Sequence, residues 1–266
     1  MSKLTRRDFL KATAAAGAAA ALVPAARAAG DSDASEYIEL RAYRLRPGAG
    51  HELLDQYLSK ALIPALNARG VAAVGAFTEL EPKDGAAVWV LIPHPSLASV
   101  AAIDSSINAE ASVQEAGEAY LSSPTKDHPA FDRIDSWLHL PFAGLPKLAV
   151  PPLARQGKAR VFEMRTYESF SELKALRKVA MFNAGEIGVM EEVGLSPVFY
   201  GQALVGRDLP HLTYMLCSEN VPAHKRNWDR FLAHPVWKKL LADPQYADTV
   251  QKITSRFLVP TAYSQV

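Results

Sequence analysis

With 266 residues, 49% of them hydrophobic, and 29 Lys and Arg against 28 Asp and Glu for a net charge of +1, the chain has ample material for a core and no surplus of either sign. That balance leaves no basic stripe to neutralise a run of phosphates and no polybasic patch for a membrane surface, which argues against nucleic acid as a partner. The single Cys217 can form no internal disulfide and reads as a small buried hydrophobe, while the absence of Cys-x-x-Cys and of an i, i+4 histidine pair argues against a metal site.

The chain opens on Thr5-Arg6-Arg7-Asp8-Phe9-Leu10-Lys11, followed by an alanine-rich apolar run over 12–23, then Pro24 and the small-x-small sequence Ala26-Arg27-Ala28. This is the pattern of a twin-arginine (Tat) export signal, with cleavage expected after Ala28. A helix of the mature domain is a poor alternative, because the run has no polar face. Residues 1–28 carry Lys3, Arg6, Arg7, Lys11 and Arg27 against Asp8, so their removal takes the net charge from +1 to −3. No later apolar run approaches the roughly 18 residues that span a bilayer. A soluble, mildly acidic protein is expected, passed in folded form to the periplasm or beyond by the Tat translocase.

Tyr37 to Leu45 then reads as a strand ended by Pro47-Gly48. His51 to Ala68 has helical spacing, with Leu54, Leu58, Leu62 and Leu66 on one ridge, a kink expected at Pro64 and Gly70 as the stop. Val71 to Leu80 and Ala87 to Ile92 form a hairpin through Asp84-Gly85. A helical region over 96–121 and a strand over 134–140 follow. Gly144 to Gly157, with Pro146, Pro151 and Pro152, reads as a linker. The same order returns from Arg160 to Val259: a helix ending at Gly194, a hairpin joined through Gly206-Arg207-Asp208, and a helical region broken at His234-Pro235.

The recurrence extends to residues. Glu39-Leu40-Arg41-Ala42-Tyr43 returns as Glu163-Met164-Arg165-Thr166-Tyr167, and the same offset pairs Ile63 with Ile187, Gly70 with Gly194 and Leu80 with Leu204; near the ends Ile134 pairs with Ile253 and Ser136 with Ser255. Duplication is the simplest cause of a spacing kept across different elements. The expected fold is therefore α+β: two tandem ferredoxin-like βαββαβ units packed sheet to sheet as an intrachain pseudo-dimeric barrel. Their expected bounds are 37–143 and 159–266, behind a signal at 1–28 and joined by a Pro-rich linker at 144–158. Since the units cover each other, a homo-oligomer would use another surface.

Along the first strand of each unit, Glu39, Arg41 and Tyr43 share one face, as do Glu163, Arg165 and Tyr167. If Ile38, Leu40 and Ala42 pack on the helices, these charged sets face each other across the barrel. Glu39 and Glu163 are then expected to pair structurally with the arginines, and Arg41, Tyr43, Arg165 and Tyr167 are candidates for holding an anionic ligand in the cleft. On the last strand of the first unit Trp137 and His139 point inward, and His139 is a further ligand-binding candidate. His94, His128 and His234 precede proline and read as punctuation, while His51, His211 and His224 lie at element ends and are expected to face solvent.

The two Glu-x-Arg-x-Tyr strands, Trp228 with Phe231, His234-Pro235-Val236-Trp237-Lys238 and the closing Leu258-Val259-Pro260-Thr261-Ala262-Tyr263-Ser264 resemble NIPSNAP-type proteins, most clearly in the second unit. The resemblance implies a dimeric α/β-barrel fold and binding of a small ligand or a protein partner rather than a defined reaction. No catalytic motif accompanies it and no cofactor is expected. The alternative is an enzyme of the kind this barrel class hosts: a cofactor-independent monooxygenase, an isomerase or a haem-dependent oxidase, the last with His139 as the iron ligand.

Overall fold

The structure, a computed structural model, describes residues 35–82 and 85–266. The twin-arginine segment and the Lys83-Asp84 part of the first hairpin turn lie outside the described residues. Eight antiparallel strands close into a barrel in the order β1-β3-β2-β8-β5-β7-β6-β4. They are β1 (Tyr37–Arg44), β2 (Gly75–Glu79), β3 (Ala87–His94), β4 (Arg133–Pro141), β5 (Val161–Glu168), β6 (Ser196–Val205), β7 (His211–Ser218) and β8 (Lys252–Pro260). The class is mixed α+β, with helices packed outside a closed sheet.

The helices fall between the strands in two sets. After β1 come α1 (Glu52–Tyr57) and α2 (Ile63–Ala68), and after β3 come α3 (Leu97–Ser105), α4 (Ala111–Ala116) and α5 (Glu118–Leu121). The connecting segment holds α6 (Pro152–Arg155). Behind β5 lie α7 (Glu172–Met181) and α8 (Ile187–Glu192), and behind β7 lie α9 (Val221–Ala233) and α10 (Pro235–Ala242). Side chains start these helices by accepting free backbone N–H groups: Ser171 from Lys174, Asn220 from Ala223, and Ser96 from Ser99 in a capping box. Gly70 and Gly194 end α2 and α8 at φ +86° and +87°, where a side chain would be strained.

The helix expected over 51–68 does not kink at Pro64. It opens instead into a π turn at Leu58–Leu62, after which Pro64 sits in the first turn of α2, where its missing N–H breaks no hydrogen bond. Proline is not the cause, since α7 and α8 are separated by the same kind of turn at Phe182–Glu186, two residues before Gly188. The region expected to be helical over 96–121 breaks into α3, a short 3₁₀ turn, α4 and α5. The Pro-rich connection is tied down, with Ala149 donating to the Val198 carbonyl and Leu148, Val150 and Leu153 packing on the barrel's apolar interior.

Three apolar clusters show which way each strand faces. Ile38, Leu40, Ala42, Phe77, Trp89, Leu91, Phe162, Met164, Met215, Cys217 and Leu258 form one cluster drawn from strands all round the ring, the barrel interior. Tyr43, Val88, Val90 and Ile92 join α1 and α2, and Tyr167, Leu212, Tyr214 and Leu216 join Phe182, Met190 and Phe231, so the opposite strand faces lie under the helices. This reverses the expected orientation of β1 and β5. Apolar residues at alternate positions line the barrel, and the Glu-x-Arg-x-Tyr residues pack beneath the helices.

Candidate functional site

Glu39 and Glu163 each hold a buried polar cluster within their own half of the chain. Glu39 accepts hydrogen bonds from Arg41 at 2.5 Å and Ser136 at 2.7 Å, and lies 3.1 Å from His94 Nε2. Glu163 accepts from Arg165 at 2.7 Å, Ser255 at 2.5 Å and Trp228 at 2.8 Å, and lies 2.8 Å from His224 Nε2. Burial works to raise both carboxyls, but the histidine hydrogen bonds and arginine charges outweigh it and hold each at about 2.

Arg165 Cζ also lies 4.9 Å from the Trp228 ring, and the Tyr167 hydroxyl meets that of Tyr214 at 2.8 Å. The expected Glu–Arg pairs are therefore present, but Arg41, Tyr43, Arg165 and Tyr167 do not face a cleft. The hydrogen bonds to Glu39 come from the first half of the chain and those to Glu163 from the second. His94, His211 and His224 are buried, contrary to the solvent-facing or punctuating positions expected of them.

A concave site lies in the barrel interior, at the end where β1 and β5 finish and β4 and β8 begin. The other end is filled by Ile38, Phe162, Cys217, Leu258 and Val266. Burial among them pushes the Cys217 thiol up to about 12, so it is inert at neutral pH. The open end is a cavity of about 420 Å³.

One wall of this cavity is aromatic. Trp89 on β3 and Trp137 on β4 flank β1, their rings stacked at 6.1 Å and 21°. The guanidinium of Arg256 lies 5.6 Å from the Trp89 ring and that of Arg207 5.7 Å from the Trp137 ring, giving a row of arginine, two tryptophans and arginine. Each end of the row is anchored by a carboxylate. Glu79 accepts from Arg256 and, at 2.9 Å, from Trp89 Nε1; Asp135 accepts from Arg207 at 3.0 Å and also from Arg44. Gly206 precedes Arg207 at φ +141°, and a Cβ there would stand 2.2 Å from Trp137.

The facing wall carries hydroxyls. Thr166 on β5 is in register with Thr213 on β7 and Thr254 on β8, and its Oγ1 lies 3.0 Å from that of Thr213. Thr213 Oγ1 lies 3.4 Å from Nδ1 of His211, another lining residue. At the mouth Lys252 pairs with Glu168 at 2.7 Å.

Behind His211 sits His139, fully buried, its ring 6.0 Å from that of His211 and 5.9 Å from that of Phe199. Its inward direction matches the expectation from strand alternation. Nδ1 donates to the Ile38 carbonyl at 3.3 Å, and Nε2 has no hydrogen-bond partner. Burial, helped by neighbouring His211, lowers it to about 3, and burial lowers His211 too. Both imidazoles are neutral at pH 7. The cavity wall does not include His139, which makes it a poor fit for an axial haem ligand.

Residues 162–265 match the NIPSNAP family model, and residues 3–23 match the twin-arginine translocation pathway signal sequence. The second half of the chain is a NIPSNAP domain. The signal directs this NIPSNAP-domain protein out of the cytoplasm by the Tat route, and no helix among the described residues is long and apolar enough to cross a membrane. No curated protein matches it.

Among solved structures, a candidate monooxygenase from Lactobacillus acidophilus NCFM superposes on 85% of this chain and 94% of its own, with a TM-score of 0.55 at 9% identity. An anthrone oxidase-like protein covers 86% and 92%, with a TM-score of 0.50 at 11% identity. Both are likenesses of fold alone. An uncharacterized NIPSNAP-like domain protein from Burkholderia xenovorans covers 40% of this chain and 88% of its own, with a TM-score of 0.35 at 19% identity.

Strand alternation puts Arg256 on the cleft side with Trp137, as found, but sequence reasoning missed most of the cavity: Arg44, Trp89, Thr166, Arg207, His211, Thr213 and Thr254. The signal was available. Once Leu40 and Ala42 are placed inside, alternation along β1 puts Arg44 inside with them, and the same step on β5 brings in Thr166.

Proposed function

We propose that this exported NIPSNAP-domain protein binds a small molecule in the interior cavity at the open end of its barrel. A single comparison carries the reading. Among positions of the two halves that correspond by sequence offset, the charged strand residues under the helices and one serine are kept, as Glu39 and Glu163, Arg41 and Arg165, Tyr43 and Tyr167, and Ser136 and Ser255, while the histidine on each glutamate comes from a different element, His94 and His224. Around the cavity they differ: Arg44 against Glu168, Trp89 against Thr213, Asp135 against Thr254, Trp137 against Arg256. Identity where the fold needs pairing, with divergence around a cavity of ligand size, is what an asymmetric binding site built on a symmetric frame requires.

The finer reading of the frame, two tandem ferredoxin-like units at 37–143 and 159–266 joined by 144–158, is part of the same proposal. It is supported by β1, β3 and β4 recurring at corresponding bounds in β5, β7 and β8, and by the two π turns standing at the same offset. The test is native mass spectrometry of the mature protein purified from the periplasm. A non-covalent small-molecule adduct is expected, and it should be lost when Thr254→Trp fills the cavity. A bare mass from the unaltered chain, with no quenching of Trp89 and Trp137 emission across a library of small metabolites, would sink the reading.

Catalysis is the second reading, favoured by the neutral His211 with Thr213 and Thr166 lined up on the cavity wall, a row through which a proton could leave a bound molecule. The structural neighbours described as a candidate monooxygenase and as anthrone oxidase-like support it by fold analogy.

A further inference from the structure

The chemistry of the cavity restricts its ligand, provided that it is a binding site as proposed above. In the closed order, β1 and β5 stand four strands apart, so the Trp89–Trp137 wall beside β1 lies opposite the threonine row centred on β5. One wall is broad, apolar and held rigid by cations and carboxylates at both of its ends. The other offers hydroxyls at one level. A slot of that kind suits a flat molecule whose ring system lies along the tryptophans and whose polar edge meets Thr166, Thr213 and Thr254.

The charges say what else it carries. Lys252 is matched by Glu168, and Arg256 is engaged by Glu79. Arg44 and Arg207 share one carboxylate, Asp135, which is buried while the Arg207 side chain is 56% exposed. Two guanidiniums on one carboxylate leave donor capacity beside the aromatic wall, and planar guanidinium donors match a carboxylate or sulfonate better than any neutral group. Asp208 also lines the cavity and brings its carboxylates level with its cations, but its influence falls on Lys252 and His211, so the unused donors are those of Arg44 and Arg207.

We infer that the cavity takes a planar aromatic acid, its anionic group between Arg44 and Arg207 and its ring system between the tryptophan wall and the threonine row. A cavity of about 420 Å³ accommodates a molecule of two or three fused rings with such a group.

Three probes test this by titration calorimetry and by quenching of tryptophan emission: 2-naphthoate, its neutral isostere 2-naphthamide, and hexanoate. In the unaltered protein 2-naphthoate should bind at least about tenfold tighter than either of the others, the size of one charge-assisted hydrogen-bond pair. Arg207→Met leaves Asp135 with Arg44 and so preserves the fold; it should cost 2-naphthoate about tenfold while leaving 2-naphthamide within about twofold. Equal binding of 2-naphthoate and 2-naphthamide, or equal losses of both in Arg207→Met, overturns the anion assignment and keeps the cavity as a ligand site. Hexanoate binding as tightly as 2-naphthoate overturns the aromatic assignment. If none of the three binds the folded protein, the aromatic-acid assignment is overturned, while the ligand-site reading is decided separately by the native mass.

Discussion

His139 couples the barrel interior to acid. An ordinary histidine titrates near 6.5, whereas burial and the neighbouring His211 lower this one to about 3. Between those values the unfolded chain takes up a proton that the folded chain refuses, so stability falls as pH drops through that window, by about 1.4 kcal/mol per unit for one such group. Glu39 and Glu163, held at about 2 against an ordinary 4.5, act in the same direction but only as pH falls through the range below 4.5. His139→Phe keeps a flat ring beside Phe199 and removes the titrating group. Its urea-unfolding free energy should therefore fall by ~2 kcal/mol less than that of the unaltered protein between pH 6.5 and 5. Identical pH profiles would show that His139 is charged in the folded state. That His139 and Trp137 point inward was legible from alternation, but that Arg41 and Tyr43 point outward was not. Alternation tells which side chains share a face and does not tell which face is which when both are covered, one by helices and the other by the far side of a barrel.

At the level of elements, strands were easier to read than helices, because β-branched and aromatic alternation has no competing period in this chain while helical spacing runs unbroken through both π turns. Nothing in Leu58-Ser59-Lys60-Ala61-Leu62 announces a wider turn. The second π turn has an evident tenant, however. Glu186, its last residue, accepts a hydrogen bond at 2.7 Å from Lys178 on α7, both are buried, and the ammonium lies 4.8 Å from the Phe182 ring and 5.3 Å from that of Trp237. Burial raises the Glu186 carboxyl even with Lys178 beside it, so desolvation exceeds the attraction of the pair. Lys178→Met alone leaves Glu186 without its partner and should cost ~3 kcal/mol in urea unfolding, whereas Lys178→Met with Glu186→Leu should recover most of that loss. A double variant no more stable than Lys178→Met alone would mean that the pair is a net source of stability and that the π turn depends on it.

The whole molecule is built on two seams, β2 with β8 and β4 with β6. By sequence offset β2 corresponds to β6 and β4 to β8, so under the two-unit reading both seams are one pairing made twice, as in a twofold dimer. The order of elements and the paired glycines made this visible in the sequence, and with it the expectation of a barrel; the strand order that closes it was not, because no residue pattern names which edges meet. The reading makes a demand on the NIPSNAP half by itself. Residues 159–266 alone would carry a complete helix-to-sheet core around Phe182, Tyr200 and Tyr214, yet Phe162, Met164, Met215 and Leu258 would lie bare on the other face, with β6 and β8 as open edges. An apolar sheet face bounded by two open edges does not persist in water as a monomer. Two copies can cure both defects at once, each β8 pairing with the partner's β6 as β8 pairs with β2 in the intact chain. The fragment expressed alone is therefore expected to be a dimer by light scattering, with a far-ultraviolet spectrum like that of the intact barrel. A folded monomer would show that half a barrel can cover its own inner face, and the two-unit account of the fold would have to be abandoned.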